Sequence, residues 1–75
     1  MFRVPPTQIK PLSKEVMTIV SSAFSRGLSL EGYQDYTLFC LMYYPPLEYS
    51  KGDAAYEWAE TIAEILENRG YSFSE

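Results

Sequence analysis

Five carboxylates, Asp53, Glu57, Glu60, Glu64 and Glu67, recur at spacings of four, three, four and three residues. Wound at 100° per residue, all five project within about 40° of one direction. Carboxylates so arranged could move protons, hold a cation or face a basic partner. General acid–base work needs a carboxyl whose pKa is raised by burial, and these five read as an exposed face. A calcium loop needs its own ligand spacing, which no loop of this chain shows. Attraction to a basic surface remains, and a row of carboxylates can imitate a row of phosphates. Arg69 is the only base after Lys51, and it projects toward the other side of the helix. The neighbours Glu57–Glu60, Glu60–Glu64 and Glu64–Glu67 each cost a few tenths of a kcal/mol. Glu64 and Glu67 also lie at the unfavourable end of the helix dipole. An outer face kept only for solubility would usually mix Lys with Glu. The plain alternative is nonetheless a solvated outer face.

A second cluster is Tyr43-Tyr44-Pro45-Pro46, with Tyr49 close behind. Tyrosine offers large contact area, a polar tip and little rotamer entropy, which makes it common at the centre of interfaces. The alternative is a helix end packing its rings on the core. Cys40 lies in an apolar run with no base nearby in sequence and reads as a buried, inert thiol. The chain has no histidine. That removes Cys–His and Ser–His–Asp nucleophiles and, with a single cysteine, nearly every zinc site. The four glycines are scattered, so no phosphate-binding loop is present. No cofactor or catalytic residue is expected.

The elements that must carry these residues read as follows. Residues 1–12 hold three of the five prolines and no clear periodicity, which predicts an extended arm. Phe2, Val4 and Ile9 give it apolar side chains to pack. Ser13 is a good N-cap, with Leu12 and Met17 placed as a hydrophobic staple. Val16, Met17, Ile19, Val20, Ala23 and Phe24 form a stripe at helical spacing, and Gly27 suits the left-handed residue that closes a helix. A first helix over 14–26 follows. Ser29 is a second N-cap candidate, with Glu31 in the first turn. A second helix is read over 30–44, although Tyr36-Thr37-Leu38-Phe39 would also suit a strand. Its second half is apolar all round and should be the most buried element. Pro45 to Gly52 is a loop. Asp53 caps a third helix over 54–68, with apolar face Ala55, Trp58, Ala59, Ile62, Ile65 and Leu66. Gly70 ends it, and Tyr71-Ser72-Phe73 form a short tail. The expected fold is all-α, a three-helix bundle over 13–75 behind the proline-rich arm. Its core should draw on Val16, Ile19, Val20, Ala23, Phe24, Leu38, Leu41, Trp58, Ile62, Ile65 and Leu66.

With 75 residues there is room for one domain of marginal stability. No intrachain disulfide can support it, so a partner or a second copy is the support that remains. The single cysteine and the absence of a signal-peptide core predict a cytoplasmic setting. The longest apolar run, Leu38 to Tyr44, is far too short to span a bilayer. Charge is uneven: residues 1–30 carry +3 and residues 31–75 carry −7. An acidic C-terminal half repels nucleic acid, so direct binding to DNA or RNA is not expected.

Tyr43-Tyr44-Pro45, acidic residues, a helix containing Trp58 and a tail with Gly70 and Phe73 resemble the C-terminal half of nuclease-colicin immunity proteins. Those are small acidic four-helix inhibitors whose Tyr-Tyr-Pro helix and preceding acidic helix bind a basic nuclease. The resemblance covers less than half the chain, and here the acids follow the motif instead of preceding it. It implies a mode of binding. The expected function is that of a small, acidic, non-catalytic binding protein or inhibitor. It would occupy a basic surface of a macromolecular partner, such as a nucleic-acid-binding protein, acting as a nucleic-acid mimic. Phages and mobile elements make small acidic inhibitors of this kind, an analogy of size and charge. The alternative is an assembly subunit or homodimer that uses its tyrosine-rich surface.

Overall fold

The computed structural model describes residues 5–73. It holds three α-helices, α1 (Lys14–Ser25), α2 (Asp35–Tyr43) and α3 (Gly52–Asn68), with a 3-10 turn at Leu47–Tyr49 before α3. Among the described residues there is no strand, so the expected all-α class holds. Part of the expected arm, Met1 to Val4, lies outside the described residues, and Phe2 and Val4 with it. Of the remainder, Ile9 and Leu12 are half-buried against the core.

α1 begins as its sequence predicts. The Ser13 hydroxyl accepts the Val16 N–H at 3.3 Å, satisfying one of the first-turn donors that have no partner inside the helix. Both α1 and α3 end in the same way. Gly27 and Gly70 take left-handed φ values of 79° and 105°. The Leu28 N–H then reaches the Ala23 carbonyl at 2.9 Å, and the Tyr71 N–H reaches that of Leu66 at 3.1 Å. Gly27 and Gly70 donate to Phe24 and Glu67, each at 3.0 Å. These are Schellman closures, which need a residue free of a Cβ clash at the left-handed position.

The start of α2 differs from the sequence expectation. The Ser29 hydroxyl accepts the Glu31 N–H at 3.1 Å in a local turn and does not cap a helix. Gly32 follows, a poor helix former, and the Tyr33 N–H closes a further turn on the Leu30 carbonyl at 3.3 Å. Leu30 is meanwhile buried in the core. The helix therefore starts five residues later than its predicted start, after Gln34, which makes no side-chain cap bond. Asp53 likewise is not the cap of α3. The helix begins at Gly52, whose φ of 71° makes the entry turn, and Asp53 falls in the first turn, where the dipole still favours it.

Leu38, Phe39, Cys40 and Leu41 are all buried, as an apolar-all-round segment requires. α2 packs against α3, and α3 also packs on the 3-10 turn. Trp58 is fully buried at their junction. Its ring stacks on Tyr49 at 4.9 Å and meets Phe24 edge-on at 5.0 Å. Its indole N–H donates to the Leu41 carbonyl at 2.8 Å. That carbonyl lacks its helical donor because residue 45 is proline, which has no N–H. The proline that ends α2 thus creates the acceptor that fixes Trp58.

Of the expected core, Ile19 is misplaced: it is 63% exposed. On a helical projection it lies 100° from Val20 and 140° from Phe24. The stripe read from the sequence was wider than the surface the other elements cover. Leu30 takes a core place that the sequence reading did not assign to it, while Phe39 and Cys40 are buried as their apolar run requires.

Candidate functional site

α3 places its five acidic residues as the spacing predicts. Asp53, Glu57, Glu60, Glu64 and Glu67 are all exposed, while Trp58, Ile62, Ile65 and Leu66 are buried on the other side. At 1.5 Å per residue the row runs roughly 21 Å along the helix. Among the described residues, none of the five makes a side-chain hydrogen bond or ion pair. No group of three or more carboxylates or thiols there converges as metal ligands would. Glu64 also borders a surface groove of about 320 Å³, lined by Phe24, Leu28, Leu30, Thr61 and Ile65. Tyr56, 77% exposed, sits on the same helix among Asp53, Glu57 and Glu60. The sequence reading passed over it. Its spacing of three after Asp53 and four before Glu60 marks it as their neighbour.

Arg69 is withdrawn from the acidic row. Its Nη1 donates to Asp35 Oδ1 at 2.6 Å and to the Tyr33 carbonyl at 2.9 Å. Its Nη2 donates to the Glu31 carbonyl at 2.5 Å. The Tyr71 hydroxyl donates to Asp35 Oδ2 at 2.8 Å. Asp35 is thereby gripped from the C-terminal end of α3, and the base that follows the row is spent on holding the fold.

The tyrosines divide. Tyr43 and Tyr44 are 53% and 44% exposed, with Tyr43 stacked on Phe39 at 6.4 Å. Tyr49 is half-buried against Trp58 and Phe24, so its ring belongs to the core. Cys40 is free and buried. Partial desolvation, and then the neighbouring Cys40 thiol, push the Tyr36 hydroxyl above its ordinary pKa, away from any easily ionised form. Glu48 shifts the other way. The Ser21 hydroxyl donates to its Oε2 at 2.7 Å and, with the Glu48 backbone N–H, holds the carboxyl below its usual value. This bond ties α1 to the 3-10 turn before α3.

Compared with models of protein families, with curated proteins and with solved structures, the chain matches none of them. The comparisons add nothing to the likeness to immunity proteins, which rests on the residues from Tyr43 to Phe73 that carry it. Among the described residues no helix is long and apolar enough to cross a membrane.

Proposed function

We propose that this chain is a non-catalytic binding protein whose α3 face occupies a basic surface of another macromolecule. One observation carries the reading: five exposed carboxylates share one helix face, and among the described residues none of them is in an ion pair. Such a face opposes its own helix through like-charge neighbours and gains most when lysines or arginines of a partner approach it. A partner that ordinarily holds phosphates would present such a surface. Inhibition by imitation of a phosphate backbone, in a cytoplasmic setting, is the form of this function that fits the charge.

The second reading is an assembly subunit joined through tyrosines. It draws on the exposure of Tyr43 and Tyr44, and the core role of Tyr49 narrows that patch to two rings.

Affinity capture followed by kinetics on the captured partner separates the two. The triple variant Glu57→Gln, Glu60→Gln, Glu64→Gln keeps the shape of the face and removes three charges. On the first reading it associates more slowly and its affinity depends less on salt. If it binds the same partner with unchanged rate and salt slope, α3 carries only a solvated surface and Tyr43 and Tyr44 become the contact to test.

A further inference from the structure

The outer face of α1 has a different pattern. Glu15, Ile19, Ser22 and Arg26 are spaced four, three and four residues apart and all are exposed. They project within about 60° of one another, directly away from Val20 and Phe24. Spacing of this kind puts the four residues on one stripe, the line along which a second helix could lie. Ile19 is the large apolar group at its middle, and Ser22 beside it is a small, open position. The seam ends in opposite charges, and neither Glu15 nor Arg26 makes a side-chain hydrogen bond or ion pair among the described residues. The two lie roughly 16 Å apart along the axis.

We propose that a second copy of this chain docks on this face, α1 against α1, antiparallel about a two-fold axis between Ile19 and Ser22. In that arrangement residue 15 of one copy faces residue 26 of the other, and residue 19 faces residue 22. Glu15 meets the second copy's Arg26 at both ends, and each Ile19 fills the space above a Ser22. The small serine permits the close approach of axes that such packing requires. A parallel pairing would set Glu15 against Glu15 and Arg26 against Arg26, so charge selects the antiparallel one. Lys14 and Thr18 flank the seam and continue into a groove of about 430 Å³ bounded by Leu12, Met17 and the exposed Leu47. This apolar flank widens the contact. Burial of Ile19 supplies most of the affinity, and the exposed charge pairs choose orientation more than strength. Two helices of this length bury less than a standard interface, so the association is expected to be weak. The inference uses a surface other than the acidic row and stands or falls apart from it.

Sedimentation equilibrium of the full chain from 10 µM to 1 mM provides the test, with circular dichroism confirming that each variant is folded. The expected average mass rises from 8.6 kDa toward twice that value. Glu15→Arg and Arg26→Glu, each alone, bring like charges together and weaken association at least tenfold. Mixed in equal amounts, these two variants restore it as a heterodimer, because each supplies the charge the other lacks. Ile19→Ser also weakens association at least tenfold. A chain that stays monomeric at 1 mM overturns the proposal. So does a dimer whose affinity the single reversals leave unchanged, or a pair of reversed variants that fails to associate on mixing.

Discussion

Two helices turn a polar face outward over the same core, and the faces differ in what could cover them. On α1 the central outward stripe holds one acid, one base, an isoleucine and a serine, a set that a rotated copy of itself can satisfy. On α3 the stripe holds five acids, which no copy of the same face can approach without repulsion. Exposure alone therefore says little about what a surface is for. The sign and order of its charges decide whether its complement is already in the chain or must come from elsewhere.

The largest expected effect removes both faces at once. Trp58→Ala deletes the ring between Phe24, Tyr49 and Leu41 and should cost roughly 3–5 kcal/mol. In a domain of this size that approaches the whole stability. Thermal unfolding followed by circular dichroism should show no cooperative transition, and a well-folded variant would mean that the faces do not share one core. Arg69→Gln is next. It leaves the Glu31 and Tyr33 carbonyls and Asp35 without their shared donor and should lower stability by roughly 1–3 kcal/mol in a denaturant titration. Loss of half a kcal/mol or less would show that the C-terminal end of α3 needs no such clasp.

A smaller effect of opposite sign distinguishes the faces. The triple glutamine variant of α3 relieves like-charge neighbours and should gain a few tenths of a kcal/mol per pair. Ile19→Ala on α1 should leave monomer stability within about 0.5 kcal/mol, because its side chain points into solvent. An Ile19→Ala variant destabilised like a core mutant would erase the distinction drawn between the two sides of α1. The smallest effect concerns the inner side of α1. The folded Glu48 carboxyl is held below its usual pKa by the Ser21 hydroxyl and its own backbone N–H. Its contribution is therefore present above the unfolded pKa and is lost as pH falls through the folded one. Ser21→Ala should be less stable than the parent at neutral pH, and the gap should close below about pH 4. Unfolding midpoints measured from pH 7 to pH 3 would show it, and a gap independent of pH would assign the loss to packing alone.

Much of this fold was legible because it depends on short-range rules. Ser13, Gly27 and Gly70 fix helix ends through bonds within a few residues, and the period of α3 separates Trp58 and Ile62 from the carboxylates unaided. The failures lie where distant segments compete. Ser29 has a cap's chemistry, but its hydroxyl closes a local turn while Leu30 is drawn into the core. Ile19 continues an apolar stripe that no other element reaches. Tyr49 shares its residue type with Tyr43 and Tyr44, and only the position of Trp58 moves it inward. Of the candidate site, the carboxylate row could be read from spacing, whereas the removal of Arg69 to Asp35 needed a partner 34 residues away.

The bond from the Trp58 indole to the Leu41 carbonyl also makes that single proton a clock. Solvent can exchange it only when α2 and α3 part and Phe24 and Tyr49 swing aside, which is close to complete opening of the domain. Its rate of replacement by deuterium, followed as one resolved resonance, then measures how often the whole molecule opens. Any partner that binds only the closed form would slow that rate in proportion to its occupancy. One atom thus reports on ligand and fold together, with no label added to either surface.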